Sequence, residues 1–538
     1  MQKTNKFLIA ASLCMVAGVA EAQSAFDLYS ISQSDLRGSA RFMSMGGAFG
    51  ALGGNVSTLS QNPGGIGVYR SSEIGFSLGW NLKNAEVANG QDGTRVKNTN
   101  FNFDNFGYVG SISTGSRDVP IFNWGFSVDN KVSFNRHYSG RMSNIGNSMT
   151  NYVANQTNGW YADDLGAVAG SYNPYQQSYA PWMSILAYNS YLINPTNPEG
   201  TSYTGLFQNG TTGFSEFDVV ETGQVYEYNL AFGGNAREFL YWGATLGITD
   251  LEFNQYSYYG EALEKAYVPY AQNDNLYYGD GTASWGMENH LRLSGTGVNF
   301  KMGVILKPVN ELRIGFAFHT PTFYSVRAES YASTSYAYQP YDQRLVNSNI
   351  QGTAETDEGY VAVTDFNAKT PWRFIGSVAG VFGGRCILSM DYERIMYDGM
   401  RVSYSGTEDS DVADQVGLYF KPSNIIRVGG EFKVTPQFSL RAGYSLQTSP
   451  VTSDIKDDQI DVITAGTTLS YGLDTKTQYI TAGLGYRYRS FYIDMAYVHK
   501  NRNSDYHAFS SEADTPLPPM ATVKDSNNEI VLSAGFRF

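Results

Sequence analysis

The sequence predicts an all-β protein: a transmembrane antiparallel β-barrel of 14 strands with a small N-terminal hatch in its lumen. Three observations lead there. The 538 residues hold 57 Gly, 40 Tyr and 31 Phe with only 16% charged residues. That is too aromatic and too weakly charged for disorder, and the glycines lack the strict third-residue period of collagen. Apolar residues alternate with period two in segment after segment, as in Ile530, Leu532, Ala534, Phe536 and Phe538 against Val531, Ser533, Gly535 and Arg537, the signature of a strand with one apolar face. Connection lengths also segregate by end, which a barrel in a membrane requires and a soluble sandwich does not.

The chain begins with a leader. Lys3 and Lys6 precede the apolar run Phe7 to Ala20, and Ala20-Glu21-Ala22 is a small-x-small cleavage pattern, so residues 1–22 read as a signal peptide and Gln23 as the first mature residue. The run is shorter than the roughly 20 residues of a spanning helix. Cleavage removes Cys14 and leaves Cys386 alone, so no intramolecular disulfide forms.

Residues 23–70 form the hatch. Arg41 to Gly50 and Ala51-Leu52-Gly53-Gly54 are compact stretches of small residues, and Asn62-Pro63-Gly64-Gly65 is a turn signal. A segment this small cannot build its own core; inside a barrel, glycine lets its backbone approach the wall. Gly46, Gly47, Phe49, Asn62, Pro63 and Gly64 are the candidate hatch or gate residues. The glycines lack the strand and Lys-Ser/Thr partner of a phosphate cradle.

Residues 71–538 form the barrel with its long extracellular loops. No later segment is an 18-residue apolar helix, so membrane passage must use a closed sheet in which all backbone groups pair. Strands begin near 72, 103, 121, 225, 239, 291, 311, 370, 384, 424, 438, 479, 491 and 529. Connections at the starting end are short: 114–120, 234–238, 307–310, Gly383, 435–437 and Arg489-Ser490. Those at the far end are long: 81–102, 133–224, 253–290, 327–369, 397–423, 448–478 and 501–528. Trp124, Trp242, Trp372, Phe491, Tyr497, Phe536 and Phe538 suit a lipid face and interfacial girdle. In the outer loops Tyr256, Tyr258, Tyr259, Tyr277 and Tyr278 offer either a capture surface or loop packing, with packing the favoured reading.

The polar parity of the strands points inward. It places Lys301, Arg313, Arg373, Arg427, Glu431, Arg441, Arg487, Arg489 and Arg537 in the lumen, with Asp391, Glu393 and Asp494 as partners. A cation facing lipid at midplane would cost about 2–4 kcal/mol. Two uses are open for these groups: a paired network that holds the hatch to the wall, or a cation that receives a carboxylate head group. Lys301, Arg313, His319, Arg373, Arg427, Glu431 and Arg441 are the candidate lumen or head-group contacts. His319 has no nucleophile or carboxylate fixed beside it by sequence, so a structural or gate-lining role is expected rather than catalysis. The expectation is of no enzyme activity, catalytic residue, metal or cofactor. A net charge of -13 also argues against nucleic acid as partner.

The motifs resemble those of a known family. Met43-Ser44-Met45-Gly46-Gly47-Ala48-Phe49 with Asn62-Pro63-Gly64-Gly65-Ile66 resembles the hatch of the FadL-type long-chain fatty-acid and hydrophobic-compound transporters. Gly295-x-Gly297-x-x-x-Lys301-x-Gly303, Leu312-Arg313-Ile314-Gly315 and His319-Thr320-Pro321-Thr322-Phe323-Tyr324 are similar to its central region, and Thr370-Pro371-Trp372-Arg373 and Leu440-Arg441-Ala442-Gly443-Tyr444 to later strands. Gly64 stands where the family usually has Ala after Asn-Pro. The resemblance implies passive transport of hydrophobic or amphipathic small molecules such as long-chain fatty acids, from outer loops to a pocket above the hatch. A rearrangement around Asn62 to Gly65 would then open a sideways exit through a strand irregularity. It also implies a monomer in the outer membrane of a diderm bacterium, with membrane lipids and the barrel assembly machinery as partners; the terminal Phe538 resembles the aromatic recognised in assembly. The alternatives are a non-specific porin, or a surface binding or adhesion protein, including a haem-binding role through His319, His137, His290 or His507.

Overall fold

The computed structural model describes residues 23–538 apart from 89–93, 169, 274, 343, 345–348 and 513–514; the leader assigned to residues 1–22 lies outside them. Fourteen antiparallel strands close into one barrel. The first (Glu73–Ala88), second (Thr94–Ser113) and third (Ile121–Ser133) lead to a long fourth (Thr212–Ala236), fifth (Leu240–Gln272) and sixth (Asn275–Leu306). The seventh runs Leu312–His319 and resumes as Phe323–Pro340, the eighth runs Ala362–Lys369 and resumes as Arg373–Phe382, and the ninth is Cys386–Ile395. The last five are Ser423–Lys433, Phe438–Thr448, Tyr471–Tyr488, Phe491–His507 and Met520–Arg537. Closure comes from the first strand pairing with the fourteenth, from Glu73↔Arg537 to Ala88↔Thr522.

Alternation decides which side chains meet lipid. Ile74, Phe76, Trp80 and Leu82 point outward from the first strand while Ser77 and Asn81 are buried in the lumen. On the fifth strand Leu246 and Ile248 are exposed, and the next outward residues are Asp250 and Glu252. The switch from apolar to acidic on one face marks the edge of the apolar belt, since a charge on the lipid side is costly.

The short connections lie within three residues of the positions expected from sequence. The far-end connections differ: 253–290 is a strand pair rather than a loop, with pairing running to the turn at Gln272↔Asn275. Some 24 residues of the fifth strand lie beyond Ile248, about 80 Å of extended chain. The contrast between its faces fades there because both leave lipid, so the period-two signal weakens in the sequence. The connection after Ser133 is likewise structured, with helices Met149–Thr157 and Trp182–Asn189 among its elements. Leu165, Ile185, Leu186, Leu192 and Leu206 pack there with Leu263, Trp285 and Tyr338 of the extended strands, forming an apolar dome. Tyr259 belongs to this core, while Tyr267 stacks on Tyr278 and Tyr270 on Tyr277 nearer the tip, so these outer tyrosines pack the hairpin.

Candidate functional site

The N-terminal segment fills the lumen as a plug. Helix Ala25–Ser32 carries a capping box in which the Ser24 hydroxyl accepts from the Asp27 N–H and the Asp27 carboxylate accepts from the Ser24 N–H. Its Phe26 and Tyr29 lie in an apolar cluster with Tyr397, Tyr419 and Phe420. Helices Ala40–Ser44 and Thr58–Gln61 and the 3₁₀ turn Pro63–Val68 sit lower.

Here the wall is made of glycine because the plug backbone touches it. A Cβ on Gly443 would stand 2.2 Å from the Met45 carbonyl carbon and 2.3 Å from the Gly46 nitrogen. Gly46 itself has φ of 63°, the left-handed region that favours glycine. A Cβ on Gly64 would stand 2.9 Å from the Gly303 carbonyl oxygen. Asn62 is fully buried; its amide donates to the Gly50 carbonyl at 2.5 Å and its oxygen accepts from the Gly64 N–H at 3.0 Å. Phe49 is fully buried with its ring tilted against that of Phe42, and the Gly47 carbonyl accepts from the Gln61 amide.

Charges complete the seat. Lys301 donates to Glu227 at 2.5 Å and lies 3.5 Å from the Ser60 hydroxyl of the plug. Arg313 donates to the plug carbonyl of Leu52, His319 Nε2 lies 2.8 Å from that of Gln61, and Arg373 donates to the Ser34 hydroxyl. Arg373 and Arg427 share Glu393. Glu431 takes Arg41 of the plug at 2.9 Å and Arg441 at 2.6 Å, and Arg441 also meets Asp494. Asp391 accepts from the Gly50 N–H and the Gln61 amide rather than from a cation. One expectation fails: Arg489 has φ of 55° in the tight turn after the twelfth strand and lies over the ring of Tyr488 at the mouth, outside the lumen, because a two-residue turn needs a left-handed residue. Among the other candidate lumen charges, Lys301, Arg313, Arg373 and Arg537 contact the plug directly, Arg427, Glu431 and Arg441 join the ion-pair networks beside it, and Arg487 is exposed near the mouth.

Two cavities lie above this seat, and none of those seven candidates lines either. The first, about 1290 Å³ with its open mouth, is lined by Phe26, Tyr29, Trp182, Phe253 and Tyr331 among aromatics and by many hydroxyls and amides. The second, about 870 Å³ measured the same way, opens beside the second and third strands. Ser30, Gln33, Arg136, Glu221, Phe253 and Arg502 line both, so the two are continuous.

The second cavity exists because the sheet is broken there. Asp104 is an extra residue in the second strand, since Ser77 pairs with Asn105 and Leu78 with Phe103. Lys131 is extra in the third, between Asn130↔Tyr226 and Val132↔Val225. Such bulges bend a strand. The second and third strands pair only from Asn105↔Asp129 to Ser113↔Ile121; above that level Thr94–Phe103 pairs with the first strand alone. Side chains bridge the gap, as where Asn98 donates to Asn135 and the Tyr226 hydroxyl to the Phe103 carbonyl. Arg37 of the plug holds the bulge by pairing with Asp104 at 2.7 Å.

Sequence reasoning missed this break, yet its trace is present. The outward aromatics run Phe101, Phe103, then Phe106, Tyr108: the spacing slips by one at Asp104. The histidines offered as haem ligands are engaged elsewhere: His137 faces Asp218, His290 lies between Tyr256 and Tyr331, and His507 stacks on Tyr471.

Fold and site define a plugged transmembrane barrel with an opening in its wall. No family model and no curated protein matches the sequence. Among solved structures the chain is similar to a Pseudomonas aeruginosa FadL homologue, with TM-score 0.51 and 11% identity over 94% of this chain and 99% of that one. The chain therefore has the FadL-type fold. The Pseudomonas putida toluene transporter TodX (TM-score 0.47, 14% identity, 94% and 99% covered) and the Ralstonia pickettii toluene transporter TbuX (0.44, 13%, 94% and 99%) also align.

Proposed function

We propose that the protein is a FadL-type outer-membrane channel that passively transports hydrophobic or amphipathic small molecules. The observation that carries this reading is the continuous cavity from above the plug to the break between the second and third strands. A molecule entering among the aromatics of the first cavity leaves water there, which supplies affinity. It can leave through the wall toward lipid without crossing the plug. The route asks nothing of the Asn62–Gly65 turn, and a plug seated on glycines and ion pairs speaks against a wide aqueous pore.

The test closes the side opening. Asn98→Cys with Asn135→Cys, in a Cys386→Ser background, puts a cross-link where the two side chains now touch. Oxidation is expected to abolish uptake of laurate and toluene by cells expressing the protein, and reduction to restore it. Undiminished uptake in the cross-linked protein would overturn the route.

A further inference from the structure

The plug begins where a charge is hard to place. With the leader cut after Ala22, Gln23 is the first residue of the mature chain. Gln23 and Ser24 are buried, at 7% and 5% exposure, and line the first cavity at the head of helix Ala25–Ser32. The Gln23 N–H donates to the Tyr404 hydroxyl at 2.8 Å. A free α-amino group titrates at about 8, so at neutral pH this nitrogen would be an ammonium. Burial disfavours that charge, and so does the positive end of the helix dipole beside it. The carboxylates in the lining of the cavity, Asp27, Glu221 and Asp474, are already engaged. Asp27 accepts from the Ser24 N–H at 3.0 Å and the Ser24 hydroxyl at 2.9 Å, Glu221 faces Arg136 at 3.9 Å, and Asp474 takes Arg502 at 3.2 Å and the Tyr29 hydroxyl at 2.7 Å. The Gln23 side-chain oxygen is also buried and has no hydrogen-bond partner among the described residues.

A terminal glutamine can remove such a charge by itself. We propose that Gln23 is converted to pyroglutamate after the leader leaves and before the plug seats, so that the first helix enters the cavity with an uncharged end. The neutral α-nitrogen attacks its own side-chain amide carbon, and the short tether holds the two atoms within reach. The N–Cδ bond forms as the Cδ–Nε2 bond breaks, and the departing nitrogen takes one α-amino proton and leaves as ammonia. No other reactant is consumed. The five-membered lactam is neutral and keeps one N–H, the single donor that the Tyr404 hydroxyl receives. The inference rests on the leader boundary and is independent of what the channel carries.

The first test reads the N-terminus of the full protein isolated from its native outer membrane. Amines of the denatured chain are dimethylated before trypsin is added, so that a free Gln23 can no longer cyclise during digestion. The peptide 23–37, which ends at Arg37, is expected to be unlabelled and lighter by one ammonia, about 17 Da. A dimethylated peptide starting at Gln23 would overturn the modification, and a chain starting elsewhere would overturn the leader boundary and the proposal with it. The second test uses Gln23→Ala, which cannot cyclise and keeps the ammonium. Heat-modifiable migration in gels verifies that the barrel is folded. Chymotrypsin cleavage after Phe26 or Tyr29, corrected for the protease's own pH dependence, is expected to run about tenfold faster than in the wild type at pH 6, and to approach the wild-type rate at pH 9, where the amine is neutral. A variant cut no faster than the wild type, or equally fast at both pH values, would overturn the uncharged end as the reason for the ring.

Discussion

The lower lumen and the outer dome solve the same problem by opposite means. Around the plug, burial is achieved with glycine contacts and shared carboxylates: Gly443 against Met45, Glu431 between Arg41 and Arg441. In the dome it is achieved with an apolar core of the kind a soluble domain has, with Ile185 and Leu186 fully buried. The difference follows from what surrounds each. Wall residues that face lipid on one side have only their inward face free, and polar inward groups bind a plug whose own backbone has unpaired donors and acceptors. Strands that have left the membrane need no such partner and bury aliphatic residues against helices instead.

Substitutions at each seat should fail differently. The largest effect is expected from Gly443→Val, whose Cβ would stand inside the Met45–Gly46 peptide; it should unseat the plug and exceed the roughly 1–3 kcal/mol of ordinary overpacking. In planar bilayers it should convert a quiet barrel into one with large conductance steps. Wild-type conductance in a folded variant would mean that the plug yields at this point. Next, Glu431→Ala leaves Arg41 and Arg441 without the carboxylate they share, and breaking such a buried pair costs about 3–5 kcal/mol. Denaturant unfolding should show it, and a loss under about 1 kcal/mol would remove Glu431 from the network.

The dome also holds a buried carboxyl group within its apolar core. Glu261, thirteen residues beyond Ile248 on the fifth strand, accepts from the Ser148 hydroxyl at 2.5 Å and the Met149 N–H at 2.9 Å where helix Met149–Thr157 begins. Burial pushes its carboxyl up to about 7, against those two donors. A group raised in the folded state contributes stability below its unfolded value of 4.5 that is lost as pH rises through 7, here about 3 kcal/mol. Amide exchange in the helix, corrected for intrinsic rate, should therefore be faster at pH 8 than at pH 5.5, and flat with pH in Glu261→Gln. A flat wild-type profile would refute the assignment. Smallest is Ile185→Val, expected to cost about 1 kcal/mol and to raise protease nicking of the dome while the barrel's transition stays put; a shift in both would mean that dome and barrel unfold together.

The two regions also differed in how legible they were. Short turns, strand number and inward parity could be read because the membrane enforces contrast between the faces of each strand, as in Leu440 against Arg441. Lys301 and Arg441 were recognisable as lumen charges, but their partners Glu227 and Glu431 sit on other strands and pair only once register is known. The dome strands read as loops because beyond Ile248 no lipid imposes alternation. The breaks at Asp104 and Lys131 were each a one-residue slip, small against the uncertainty of strand ends.

The plug also sets an order of events in the making of the barrel. Its Arg37 and Ala40 bond to Glu529 and Ser533 in the last strand, contacts that span 492 and 493 positions of the chain. The first and last strands can zip together only after the last is made, and the plug, synthesised before all of them, bonds to the last strand beside that seam. Contacts between groups so far apart form late, because the loop they close is nearly the whole chain. A plug absent from the lumen at that moment would leave the final strand without the groups that bond to Glu529 and Ser533, so the same bonds that seat the plug in the finished barrel act as a check on the last step of its closure.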